Sequence, residues 1–199
     1  MTVGLVGCAF ISARNNRIKA DESYYQGKYE EAFNLYQEVL KYNPQEVVAR
    51  RNTGYIYNIQ KKYAQSIPIF EALVNEDSKD FDSAMALGFA YSQTSLTKAK
   101  QVYEDILKKD KNNFGAHEQL GWVYYYEKNY PKATHHFNRV QKAYPQNVGA
   151  QTGLGWMAMA EQHWEEAYHQ FDHFRTNFPE NPTALEALKT IAPHYSPGK

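Results

Sequence analysis

Histidine pairs are the residues of this chain whose spacing comes nearest to that of a chemical site. His169 and His173 lie four residues apart, a spacing that can hold a metal ion on one face of a helix. His135 and His136 lie in the corresponding stretch earlier in the chain. The sequence offers no third ligand from another element, so we expect these histidines to lie on outer, solvated helix faces. We predict neither a metal site nor a cofactor.

Short catalytic motifs are absent from the sequence. It contains no GxSxG, HExxH, GxGxxG or Walker loop, which mark hydrolases, metalloproteases and nucleotide-binding proteins. We therefore predict that the chain is not an enzyme, and a metal-dependent or glycan-processing enzyme is the rival hypothesis. Lys+Arg and Asp+Glu both number 22, so the net charge is zero and we expect no nucleic-acid partner.

Cys8 is the only cysteine, so no internal disulfide can form. It lies in the apolar run MTVGLVGCAFISA, which is too short to span a bilayer and lacks the basic start of a complete signal peptide. The stretch 5–8, Leu-Val-Gly-Cys, resembles a bacterial lipobox, in which the cysteine is lipidated. Residues 7–9 also fit ordinary signal cleavage. A packed N-terminal segment with a buried free cysteine is the third interpretation.

Aromatic residues are unusually frequent, with 17 Tyr, 10 Phe and 3 Trp among 199 residues. Many of them recur with a period of about 34 residues. The period also appears in a glycine, in a small residue and in an apolar residue that follows the aromatic. The columns are Gly54, Gly88, Gly121 and Gly155; Ala32, Ser66, Ala99, Ala133 and Ala167; Tyr36, Phe70, Tyr103, Phe137 and Phe171; and Val39, Leu73, Ile106, Val140 and Phe174.

Each period reads as two helices joined by a polar turn. The apolar residues of both halves recur at helical spacing, and Pro131 lies at the start of a second helix, where a missing N–H costs nothing. We expect the glycine and alanine columns to lie where paired helices cross, because a larger side chain would push them apart. No pair can bury its apolar face alone, so neighbouring pairs must stack.

This pattern resembles the tetratricopeptide repeat (TPR) family. The residues that carry the resemblance are Leu87, Gly88, Tyr91, Ala99 and Tyr103; Leu120, Gly121, Tyr124, Ala133, Phe137 and Pro145; and Leu154, Gly155, Ala167, Phe171 and Pro179. The resemblance implies an all-α, right-handed superhelical solenoid of about five helix pairs plus a C-terminal capping helix. The repeats are expected at 13–46, 47–80, 81–113, 114–147 and 148–181, after a signal-like or lipobox-like segment 1–12.

The predicted capping helix covers 182–192, with Asn181 as its N-cap, and 193–199 is expected to be a loose tail. Three features depart from the family pattern. Lys19 and Thr53 stand where leucine is usual, Pro68 falls inside a second helix, where we expect a kink, and repeat 3 lacks one residue in its inner turn.

In this family the first helices line a concave groove that binds extended peptides or partner helices. The residue directly after each glycine is aromatic. Both polar and apolar side chains share its helical face. The predicted partner-binding residues are Arg51, Asn52, Tyr55, Asn58, Met85, Phe89, Gln119, Trp122, Tyr125, Tyr126, Trp156 and Met159. Two explanations stay open: the rings form an apolar floor for a ligand, or they only pack between adjacent first helices.

The sequence therefore favours a non-catalytic scaffold or adaptor that holds a peptide or helical segment of another protein. The lipobox-like segment favours a bacterial cell-envelope, secretion or pilus-type assembly on the periplasmic side, with a lipid anchor at Cys8 as the expected attachment to a membrane. The alternative is a cytoplasmic chaperone or adaptor for a secreted substrate. Purely structural, end-to-end self-assembly is a third hypothesis.

Overall fold

The computed structural model describes residues 3–195 and residue 197, with side chains from Arg14 onward. The described residues form eleven α-helices and no strand. The helices are α1 Val3–Tyr25, α2 Tyr29–Tyr42, α3 Val47–Ile59, α4 Tyr63–Glu76, α5 Phe81–Ser92, α6 Leu96–Lys109, α7 Phe114–Tyr126, α8 Tyr130–Ala143, α9 Val148–Ala160, α10 Trp164–Asn177 and α11 Pro182–Ile191. The predicted fold class, an all-α array of helix pairs with a C-terminal capping helix, is confirmed.

The chain forms two compact units, residues 1–102 and 103–199. In the first unit, α1 packs on α2, α2 on α3, α3 on α4, and α5 on both α3 and α4. In the second unit, α7 packs on α8, α8 on α9, α9 on α10 and α10 on α11, and α7 also contacts α9. Within each unit these helices therefore contact mainly their neighbours in sequence, as expected for stacked repeats.

A ring from each second helix fills the core of its repeat. Tyr36, Phe70, Tyr103, Phe137 and Phe171 are all fully buried. A Cβ atom built on Gly121 would lie 2.6 Å from Cε1 of Phe137, and one on Gly155 would lie 2.6 Å from Cε2 of Phe171. The close approach of helix backbone and ring thus requires glycine at positions 54, 121 and 155, as the sequence predicts.

Polar caps fix where the first helices begin. Asn113 accepts a hydrogen bond from the backbone N–H of Ala116, and Asn147 accepts one from that of Ala150. Asn181 accepts hydrogen bonds from Thr183 and Ala184, with Pro182 as the next residue, so the predicted cap of the last helix is confirmed. These side chains satisfy N–H groups that have no partner within the helix.

The chain ends and the third repeat differ in detail from the prediction. Helix α1 runs without a break from Val3 past residue 13, so no change of secondary structure marks the predicted boundary after residue 12. Helix α5 has twelve residues where α3, α7 and α9 have thirteen, so the residue missing from repeat 3 is lost from this helix. Helix α4 continues through Pro68.

The predicted tail does not begin at residue 193. The ring of His194 stacks on Trp164 with centroids 4.2 Å apart, and the ring of Tyr195 lies 5.4 Å from that of Tyr168. Backbone hydrogen bonds to the carbonyl of Ile191 hold both residues close to the end of α11. Aromatic packing on α10 therefore orders the chain as far as Tyr195.

Candidate functional site

The aromatic residues that directly follow the glycines, here called the post-glycine rings, are Tyr55, Phe89, Trp122 and Trp156. Three of them pack edge-on or tilted against the buried ring of their own repeat. The centroid distances are 5.4 Å for Tyr55–Phe70, 5.1 Å for Trp122–Phe137 and 5.4 Å for Trp156–Phe171. These three rings are half-buried, and Phe89 is exposed. Each of these three rings thus covers the core ring of its repeat and keeps part of its own surface exposed.

Arg51, a predicted partner-binding residue, forms an ion pair and a hydrogen bond within the first unit. Its Nη2 lies 2.8 Å from Oδ2 of Asp80, and its Nε donates to Oγ of Ser83 at 3.1 Å. Burial alone would raise the pKa of Asp80, but hydrogen bonds from Ser83 and Arg51 outweigh it and hold that pKa below its usual value. The pair ties α3 to the N-terminus of α5, so Arg51 has a structural role whatever it does for a partner.

Asn52 is also held by intramolecular hydrogen bonds. Its Nδ2 donates to the hydroxyl of Tyr36 at 2.6 Å, and that hydroxyl donates to Oδ1 of Asp21 at 2.6 Å. Arg17 completes the network through a 2.7 Å contact with Oδ2 of Asp21. Burial, followed by the hydrogen bond to Asp21, raises the pKa of Tyr36. A partner could use Asn52 only by competing with this network, and that role stays a prediction.

Three of the other predicted residues of the first unit line a pocket of about 450 Å³. Tyr55, Asn58 and Phe89 line it, together with Tyr24, Ile59, Lys61, Tyr63 and Ala86. Met85, on the same helix as Phe89, is half-buried and is not among the lining residues. The structure therefore brings three of the predicted residues into one concave site.

The second unit presents a cluster of aromatic side chains, here called the α7 aromatic surface: Trp122, Tyr125, Tyr126 and Tyr130. Neighbouring rings lie 5.9 Å apart for Trp122–Tyr125, 5.4 Å for Tyr125–Tyr126 and 6.2 Å for Tyr125–Tyr130. Tyr126 is 65% exposed, and the other three are half-buried. Gln119 lies half-buried on the same helix. Sequence reasoning named Trp122, Tyr125 and Tyr126 and missed Tyr130, which begins the next helix.

Trp156 and Met159 lie at the end of the second unit. Both are partly buried against the core that Ala158, Phe171, Phe174 and Ile191 form between α9, α10 and α11. They share this position with Trp164 and Leu188. The core contact accounts for part of their surface, so these two residues are less free for a partner than the exposed Tyr126.

His136 does not lie on a solvated face, and the prediction for this histidine is wrong. It is half-buried, its Nδ1 lies 2.9 Å from Nδ1 of His117, and its ring stacks on Tyr124. The Nε2 of His117 lies 3.1 Å from the carbonyl oxygen of Lys111, so it must carry a proton and donate. When both histidines are neutral, Nδ1 of His117 carries no proton, so Nδ1 of His136 donates the hydrogen bond to it. His135, His169 and His173 are exposed, as predicted.

Sequence reasoning missed His117, which is buried with only 5% of its surface exposed. The sequence could have indicated that His117 is buried, because it lies four residues before Gly121 and therefore on the core-facing side of α7. Burial lowers the pKa of His117, and burial together with the neighbouring His117 and His135 lowers the pKa of His136 to about 4. Across the part of the chain that the structure describes, no three His, Cys, Asp or Glu residues are grouped to hold a metal ion.

The histidine pair predicts a pH dependence of stability. Because the folded-state pKa of His136 lies below its unfolded value, the unfolded chain binds more protons between about pH 6.5 and pH 4. Stability should therefore fall as the pH drops from 7.5 to 5.5, by about 1 kcal/mol from His136 alone. His136→Asn, which keeps a donor near the Nδ1 position, should lose less stability over this range in urea unfolding. Equal losses in both proteins would show that His136 is not responsible.

Within residues 3–195, no helix is both long and apolar enough to cross a membrane. The backbone of Cys8 lies in α1, but its side chain is outside the described part of the structure. The predicted lipidation of Cys8 therefore stays a prediction.

Comparison with known proteins identifies the repeats. Residues 19–83 and residues 116–147 each match a sequence model of the tetratricopeptide repeat. No curated protein sequence is significantly similar to this chain.

Solved structures share the fold at low sequence identity. A tetratricopeptide repeat protein from Parabacteroides merdae has a TM-score of 0.77 and 16% identity, over 90% of this chain and 72% of that one. The pilF protein of Pseudomonas aeruginosa has a TM-score of 0.73 and 17% identity, over 88% and 80%. YrrB, described as a TPR protein with an unusual peptide-binding site, has a TM-score of 0.67 and 19% identity, over 87% and 90%. The columns, the helix pairs and both sequence matches agree, and this chain is a tetratricopeptide repeat protein.

Proposed function

We propose that the chain is a non-catalytic scaffold that binds a peptide or helical segment of another protein on its first helices. The observation that carries this proposal is the α7 aromatic surface, where Trp122, Tyr125, Tyr126 and Tyr130 lie together with substantial exposure. Tyr and Trp offer large contact area at a small cost in side-chain entropy, and they dominate binding energy at protein interfaces. Tetratricopeptide repeats typically serve as interaction scaffolds, which supports the same function.

Packing alone does not require these exposed rings. The core of this repeat is already filled by Phe137, which is fully buried between α7 and α9. Tyr126 adds little to that core, because 65% of its surface is exposed. Clustered exposed aromatic residues favour association with other molecules, so a partner explains them better than internal packing does. The description of YrrB as a peptide-binding TPR protein is consistent with this proposal.

We expect a photoreactive amino acid at position 125 to crosslink a partner protein in an extract of the native cells. The same amino acid at position 144 is the matched control, because Tyr144 is an exposed tyrosine of the same unit at the end of α8. A crosslinked species should form at position 125 and not at 144, and unlabelled protein should compete it away. Equal crosslinking at both positions, or none at position 125, would contradict the proposal.

The proposed setting is a bacterial cell-envelope assembly of the secretion or pilus type, on the periplasmic side and with an outer-membrane anchor at Cys8. It rests on the lipobox-like stretch 5–8 and is consistent with the likeness to the pilF protein. The alternative setting is the cytoplasm, where the same surface would serve a chaperone or adaptor for a secreted substrate.

Incorporation of labelled fatty acid distinguishes the cell-envelope setting from the cytoplasmic one. In a bacterial host that expresses the native gene from its own start, we expect the label to be incorporated into the protein. Cys8→Ala should abolish incorporation, because the thiol is the acceptor. Wild-type protein without label would contradict the lipid anchor and favour the cytoplasmic alternative.

A further inference from the structure

The residues of the α7 aromatic surface carry hydrogen-bonding groups that the folded chain leaves unused. Trp122 has an indole N–H, and Tyr125, Tyr126 and Tyr130 each have a hydroxyl. Within the part of the chain that the structure describes, none of these four groups makes a hydrogen bond. Burial, followed by the nearby hydroxyls of Tyr130 and Tyr126, raises the pKa of Tyr125. The four side chains therefore offer hydrogen-bond donors and carry no formal charge at neutral pH.

Neighbouring rings of this surface stand at steep angles to one another. The ring planes of Trp122 and Tyr125 are 86° apart, and those of Tyr125 and Tyr126 are 70° apart. The ring of Tyr130, at the start of α8, is tilted by 38° to that of Tyr125. Each steep pair forms a corner between the face of one ring and the edge of the next, and a ring face carries partial negative charge. Such a corner suits a compact saturated ring, whose C–H groups carry partial positive charge.

The backbone conformation of a bound segment determines whether the four donors find acceptors. A helical segment uses its carbonyl groups in its own hydrogen bonds and offers few of them to another molecule. A segment in the β conformation has one N–H for every carbonyl group, so it brings as many donors as acceptors. A proline-rich segment in the polyproline II conformation has free carbonyl groups, and its prolines have no N–H. Both its acceptors and its saturated rings therefore complement this surface.

We propose that the α7 aromatic surface binds a proline-rich segment of the partner in the polyproline II conformation. Proline rings pack in the corners on either side of Tyr125, and carbonyl oxygens accept hydrogen bonds from the indole N–H and the tyrosine hydroxyls. The complementarity is one of partial charges, with C–H groups against ring faces and carbonyl oxygens against donors. The conformation is preformed, so little entropy is lost on binding. This inference rests on the proposed function and specifies the chemistry of the bound segment.

Calorimetric titration of the full chain with uncharged peptides tests this chemistry. The reference peptide is acetyl-Gly-Pro-Pro-Pro-Pro-Pro-Pro-Gly-amide, and the comparison peptide has alanine in place of every proline. We expect the proline peptide to bind saturably below about 1 mM. The alanine peptide lacks the rings and has additional N–H groups, so its affinity should be at least about tenfold lower. Because no formal charge takes part, the affinity of the proline peptide should change less than about twofold between about 0.05 M and about 0.5 M NaCl.

Protein variants assign the binding to individual side chains. Tyr125→Phe keeps the ring and removes one donor, so it should weaken binding of the proline peptide about two- to tenfold. Tyr126→Ala removes a ring that is 65% exposed, so the fold is preserved and the affinity should fall at least about fivefold. Tyr144→Ala removes another exposed tyrosine of the same unit, and as the matched control it should change nothing. Urea unfolding of each variant checks that the fold is intact.

Three results would overturn this proposal: no saturable binding of the proline peptide at about 1 mM, equal binding of the proline and alanine peptides, or wild-type affinity in both Tyr125→Phe and Tyr126→Ala. Crosslinking at position 125 separates such a failure from failure of the scaffold function. We expect excess proline peptide to suppress that crosslink. A crosslink that persists under saturating proline peptide overturns the proline-rich ligand and leaves the scaffold function standing, whereas the absence of any crosslink contradicts the scaffold function itself.

Discussion

The contact between a glycine of the first helix and an aromatic ring of the second helix is the interaction on which repeats 2, 4 and 5 depend, through Gly54–Phe70, Gly121–Phe137 and Gly155–Phe171. Phe137 shows it most fully, because its ring lies against Gly121 of its own repeat and Gly153 of the next. A Cβ on Gly153 would lie 2.5 Å from Cζ of the ring, closer than any relaxed packing permits. The ring therefore joins three helices, α7, α8 and α9, and a side chain at either glycine would force them apart.

This contact also determines which side chains keep exposed surface for the proposed partner. The residue after the glycine lies beside the buried ring, so Trp122 packs edge-on against Phe137, and Trp156 packs edge-on against Phe171. One part of each indole is used against the core ring, and the remaining surface is available to another molecule. The packing and binding explanations of these residues are thus compatible, because each describes a different part of the same side chain.

The repeats could be predicted from the sequence because packing constraints recur with the period. Glycine and aromatic columns, helix pairs and the Asn181 cap each follow from local rules that act in every copy. Pairings specific to one repeat could not be predicted. The His117–His136 contact and the Arg51–Asp80 pair join residues that are distant in sequence, and the chemistry of the pair changes between repeats, since Glu118 and Asn147 form a hydrogen bond at the positions that match Arg51 and Asp80. The pocket beside Asn58 could not be predicted either, since residues from four different helices line it.

The stabilities of Phe137→Ala and Trp122→Ala, measured side by side by urea unfolding, test this account most directly. Phe137 is fully buried and Trp122 is half-buried at its edge. We expect Phe137→Ala to lower the free energy of unfolding by about 3–5 kcal/mol, as for core aromatics, and Trp122→Ala to lower it by no more than about 1–2 kcal/mol. If Trp122→Ala is as destabilising as Phe137→Ala, the post-glycine rings belong to the core, and the surface assigned to a partner is part of the fold.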